Sequence, residues 1–141
     1  MSWVGVPLSP KRSLMATIST AVGNSLASDA TENSVKRVLW VDSYHQGYPW
    51  SDGIELGIRK IFKDKSLELI IHRMDTKNNN SAEFGLKAGR TAKEVLDRTR
   101  PDLVIATDDN AQKYFVVPYL KNGDTPVVFS GVNWDAREYG Y

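Results

Sequence analysis

Three aromatic residues and a few short polar clusters are the parts of this chain equipped for chemistry. Tyr44, Tyr48 and Trp50 crowd into Asp42-Ser-Tyr-His-Gln-Gly-Tyr-Pro-Trp50, and flat rings at that density suit stacking on a solute ring or cation–π contact. Asp108 and Asp109 supply carboxylates that could hold an ammonium group by charge-assisted hydrogen bonds or cap a helix start. The reading gives one of these tasks to each. Ser43, Ser130 and Gly131 are small groups of the kind that let a backbone approach a ligand, and Gly131 also suits a turn needing positive φ. Asn133 and Trp134 read as hinge or cleft rim.

Catalysis is a poorer fit to the same residues. Adjacent acids on a loop point apart, and no partner base accompanies Asp108 and Asp109, so a general acid/base pair is not expected. His45 and His72 lie in different segments without metal-ligand spacing; His45 reads as a loop residue. Neither a phosphate-cradling glycine motif nor a Gly-x-Ser-x-Gly elbow occurs. A response-regulator receiver would need an acidic pair after its first strand, where Asp42 stands alone. The expectation is a non-enzymatic binder with no catalytic residue, no metal and no cofactor.

Composition sets further bounds. The chain has 141 residues, 41% hydrophobic and 25% charged, ordinary for one globular domain. A formal charge of +1 without blocks of like charge offers no electrostatic footprint for nucleic acid. The absence of cysteine excludes disulfides, thiolate metal sites and a lipid anchor through cysteine. Residues 1–33 carry Lys11 and Arg12 ahead of a moderately apolar run, Leu14 to Leu26, closing on Ser-Leu-Ala. That pattern reads as an export signal, or alternatively as a disordered tail or transit-like leader. No run reaches the length of a membrane span.

Residues 34–141 must then position the candidate site. Val38 to Val41 reads as a buried strand, and Trp40 within it as core. Ser51 to Phe62 reads as a helix with Ile54, Ile58, Ile61 and Phe62 on one face, capped by Ser51 or Asp52. A strand from Leu67 to Met74, a loop from Asp75 to Ser81 and a helix from Ala82 to Thr99 follow. Pro101 closes that helix region. Leu103 to Ala106 is a third strand, Asn110 to Leu120 a third helix interrupted near Pro118, and Val127 to Phe129 a fourth strand after the Asn122-Gly-Asp124 turn. This alternation predicts an α/β fold, an open parallel sheet with helices on both faces in strand order 2-1-3-4. The aromatic loop, the paired acids and Ser130 to Trp134 all follow strand ends on one edge, where such sheets bind ligands.

Val-Asp-Ser-Tyr-His-Gln-Gly-Tyr-Pro-Trp after the first strand, Ala-Thr-Asp-Asp-Asn-Ala after the third and Val-Val-Phe-Ser-Gly-Val-Asn after the fourth resemble an ABC-transporter substrate-binding family with the type I periplasmic binding fold. The resemblance covers about Lys36 to Tyr141. It implies an exported, periplasmic receptor that binds a small organic solute such as an amino acid or aromatic compound and serves a membrane permease. Related modules act as extracellular sensing domains of signalling receptors, and the sequence leaves that alternative open. The family has two lobes and needs roughly twice this length, so residues 34–141 correspond to the first lobe, with the second missing. The ligand-binding set expected on these grounds is Ser43, Tyr44, Tyr48, Trp50, Asp108, Asp109 and Asn133.

Overall fold

In this computed structural model, the described residues are 35–133 and 135–139. The leader read over residues 1–33 and the rim residue Trp134 lie outside them. Four strands, β1 (Lys36–Asp42), β2 (Leu67–Arg73), β3 (Leu103–Thr107) and β4 (Val127–Ser130), form one all-parallel open sheet in the order β2-β1-β3-β4. This is the α/β architecture the sequence predicts. Because β1 is flanked by strands and covered on both faces, Leu39, Trp40, Val41 and Asp42 are all fully buried, which explains its unbroken apolar run.

Strand alternation separates two kinds of packing. On one face Leu39, Val41, Val104 and Ala106 join the apolar core with Ala88, Ala92, Val95 and Leu96 of α2 (Ala82–Thr99) and with Phe115 and Val116 of the third helical run. On the other, Trp40 and Asp42 face α1 (Pro49–Phe62), whose Ser51 and Glu55 reach Asp42 and Arg73. Ser81 caps α2 by accepting from Phe84 N at 3.1 Å.

Helix ends depart from expectation in two places. α1 begins at Pro49, preceded by Tyr48, and has no side-chain cap; proline at the first position has a pre-set φ and needs no partner for the N–H it lacks. Ser51 instead turns inward to Asp42, and Asp52 accepts from Gly47 N at 3.0 Å. Of the apolar stripe, Ile58 is buried but Ile61 is 70% exposed, so α1 covers its sheet face with less of its surface than its pattern predicts.

The third helical run starts earlier than Asn110. It comprises α3 (Asp108–Ala111), a π-helical turn (Gln112–Val116) and α4 (Val117–Tyr119). Pro118 has no N–H to give the Tyr114 carbonyl four residues back, and the wider turn lies over that gap. Gly89 of α2 approaches so closely that a Cβ there would stand 2.0 Å from the Tyr114 carbonyl oxygen.

Gly89→Ala should therefore destabilise the fold by about 1–3 kcal/mol or more through overpacking. Gly53→Ala, on α1 where a Cβ meets nothing within 4 Å, should stabilise by about 0.5–1 kcal/mol. Urea titration of both variants checks the contrast.

Candidate functional site

The site rests on a carboxylate buried at the end of β1. Asp42 Oδ2 accepts from Arg73 Nη1 at 2.7 Å, while Oδ1 accepts from Ser51 Oγ at 3.0 Å, Tyr44 N at 3.2 Å and Thr107 Oγ1 at 3.4 Å. Thr107 in turn accepts from the Trp40 indole at 3.2 Å. Arg73 also pairs with Glu55 of α1, and its guanidinium lies 5.2 Å from the Trp40 ring centroid. One acid thereby joins β1, β2, β3, α1 and the aromatic loop.

Ser43 departs from its expected role. It is fully buried, and its Oγ donates to the Thr107 carbonyl at 2.6 Å and accepts from Ala111 N at 2.8 Å. The hydroxyl thus caps the third helical run from the loop after β1, a task expected of Asp108 or Asp109. The Ser43 carbonyl accepts both Thr76 N and Thr76 Oγ1, at 2.9 and 2.6 Å, which fixes the loop after β2 against the loop after β1. Ser43 is a tie between loops and is not a pocket residue.

With the loops fixed, Tyr44, Tyr48, Trp50, Asp108, Gly131, Val132 and Asn133 line one open pocket of about 350 Å³ at the carboxyl edge of the sheet. Five of the seven expected residues meet there. Tyr44 and Tyr48 pack edge to face with centroids 5.1 Å apart. Trp50, 51% exposed, donates its indole N–H to Asp108 Oδ2 at 3.1 Å. Gly131 has φ +73, and a Cβ there would come within 2.9 Å of Asp108 Oδ1, so both its turn and its neighbour favour glycine. A second hollow, of about 370 Å³, is lined by Leu96, Asp97, Arg100, Pro101 and Thr125 at the opposite edge and contains no aromatic ring.

The two adjacent acids have different surroundings. Asp108 has φ 69, a left-handed conformation uncommon outside glycine, and is only 3% exposed. Burial first of all, with the nearby Asp42 and Asp109 charges, raises its carboxyl to about 6, against the opposing effects of the Trp50 hydrogen bond and Lys77. Asp109 accepts from Asn133 Nδ2 and from Tyr139 Oη, each at 2.8 Å, so it anchors the segment leaving β4. Burial and then the Asp108 charge raise the Tyr44 phenol from its ordinary 10 to about 12.

Lys77 is the residue the sequence reading overlooked. Its ammonium lies 5.2 Å from the Tyr44 centroid and 5.1 Å from that of Tyr48. Lys77 follows β2 on the same edge of the sheet, so the strand-end rule could have singled it out. His45 keeps to its loop, with Nδ1 3.5 Å from Asp75 Oδ1. Among the described residues no group of three or more His, Asp or Glu gathers at metal-holding distance.

Two outcomes test this geometry. Arg73→Met leaves Asp42 buried without its cation and should cost about 3–5 kcal/mol, read by urea unfolding. Asp108 has a folded value of about 6, above its ordinary 3.8, so the native state binds the proton more tightly and stability should fall as pH rises through that window. Asp108→Asn keeps an acceptor for the indole and should abolish this part of the slope, seen by comparing the two proteins' unfolding midpoints from pH 4 to 7.

Compared with known protein families, curated proteins and solved structures, the chain matches none.

Proposed function

We propose that residues 34–141 form a non-catalytic binding lobe for a small organic solute, an amino acid or aromatic compound, that serves ABC-type uptake in the periplasm. The observation that carries the binding reading is convergence. Side chains from the ends of β1, β3 and β4 and from the start of α1 line a single pocket with aromatic walls and one buried carboxylate. Concave sites that hold small molecules combine apolar walls with a few oriented polar groups, and open α/β sheets place them at this edge.

The polar groups of the lining are suited to holding a ligand. Asp108 is oriented by the Trp50 indole and Tyr44 by its contact with Tyr48. The Ser43 hydroxyl spends its hydrogen bonds inside the fold. Uptake, as opposed to another use of the bound solute, rests on the three motifs that resemble substrate-binding receptors. No helix among the described residues is long and apolar enough to cross a membrane.

Thermal unfolding of the full chain against aromatic amino acids, purines and sugars tests the reading. One chemical class should raise the midpoint by mass action. Trp50→Ala should lose that shift, measured from the variant's own unliganded midpoint, which itself falls because Asp108 loses its indole donor. A cooperative transition that no class displaces, or a shift that Trp50→Ala retains in full, would overturn the proposal.

A further inference from the structure

We infer that the ligand of this pocket is an organic monocation, a protonated amine carried on a flat or apolar body; the inference rests on the binding reading above and narrows it to a substrate class. It starts from an imbalance between two buried carboxylates. Asp42 is matched by the Arg73 guanidinium at 2.7 Å and by three further donors. Asp108, 3% exposed, receives one side-chain hydrogen bond, from the neutral indole of Trp50. Among the described residues no ion pair reaches it.

A buried carboxylate without a cation is unfavourable to folding, and this one lies in the wall of an open pocket. Lys77 is near enough to favour the charged form of Asp108 but makes no ion pair with it, so the contact position is left to a positive charge on the ligand. The Asp108 Oδ1 lies against Gly131, where a Cβ would come within 2.9 Å, so glycine there is what lets the carboxylate occupy the wall.

The rings of the neighbouring walls suit a positive charge, and the attraction of Asp108 must exceed the repulsion from the Lys77 ammonium beside them. The faces of Tyr44 and Tyr48 already accept an ammonium, that of Lys77 at 5.2 and 5.1 Å, as ring quadrupoles favour. An anionic solute would meet the Asp108 charge in surroundings that screen it poorly. A neutral solute would leave that charge unmatched. A hard metal ion would need several oxygen ligands, and the lining supplies one carboxylate among aromatic, aliphatic and amide groups. The aromatic and aliphatic remainder of the wall suits an apolar body attached to the amine, and about 350 Å³ is room for an arylalkyl group.

Isothermal titration of the full chain at neutral pH with phenethylammonium, phenethyl alcohol and phenylpropionate separates the possibilities, because the three share a ring and differ in charge. The ammonium should bind at least about tenfold more tightly than either analogue. Asp108→Asn, which retains an acceptor for Trp50 and a residue type that tolerates left-handed φ, should erase that preference while unfolding as cooperatively as the parent. Equal or tighter binding of the alcohol or the carboxylate, or an ammonium preference that survives Asp108→Asn, overturns the assignment of charge and leaves the binding reading standing. If none of the three binds while another solute raises the unfolding midpoint, the class is wrong and the pocket is still a receptor site. If no solute in either series binds, both fall.

Discussion

The arrangement depends on the burial of a single charge, that of Asp42. Removing a carboxylate from water is costly unless donors surround it, and here the donors come from separate segments: Arg73 from β2, Thr107 from β3, Ser51 from α1 and the Tyr44 amide from the loop between. Each segment must be in place for the charge to be tolerated. The electrostatic requirement thus acts as a positional one, and it fixes the carboxyl ends of three adjacent strands relative to one another. Apolar packing around Leu39, Val41, Val104 and Phe115 is non-directional and would permit small slips; the hydrogen bonds to Asp42 do not.

From that point outward the loops are set by backbone acceptors. The Ser43 carbonyl holds Thr76, the Asp42 carbonyl holds Met74 N at 2.8 Å, and the Tyr44 carbonyl holds Asp75 N at 2.9 Å. Asn110 then reaches the Thr76 hydroxyl at 2.9 Å and joins the third helical run to the loop after β2. Three chain segments are thus cross-linked beside the pocket by hydrogen bonds of the backbone and of Thr76 and Asn110. The rings of Tyr44, Tyr48 and Trp50 need only short reaches from this base, so their placement needs little stiffness in the loop itself.

Sheet order, strand existence and the span of α2 were legible in the sequence because they follow from apolar runs and from turn residues such as Asn122-Gly123-Asp124. Strand ends were less so: Asp42, Thr107 and Ser130 extend their strands in the ladder yet are polar, and polarity reads as loop. The start of α1 was missed because proline at the first turn replaced a capping side chain. Within the site, residue type and strand-end position pointed to the aromatic cluster and to the acids. Which of two adjacent acids faces the pocket was not readable, since it is decided by the left-handed backbone of Asp108. Ser43 was misplaced for a similar reason: a small residue at a strand end approaches a ligand or a neighbouring helix equally well, and only the tertiary register separates these. Lys77 is a single cation in an asparagine-rich loop, and only its place after a strand end on the site's edge, not its residue type, sets it apart from a solvated side chain.

Asp108 and Asp109 stand back to back across one peptide unit. The first forms part of the pocket wall, and the second accepts from Asn133 and Tyr139 on the segment that leaves β4. Asn133 belongs to both, lining the pocket while holding Asp109. The two carboxylates are therefore held on either side of the same short stretch of backbone. The wall of the pocket and the departure of the chain from the sheet thus share one anchorage, two successive residues and Asn133.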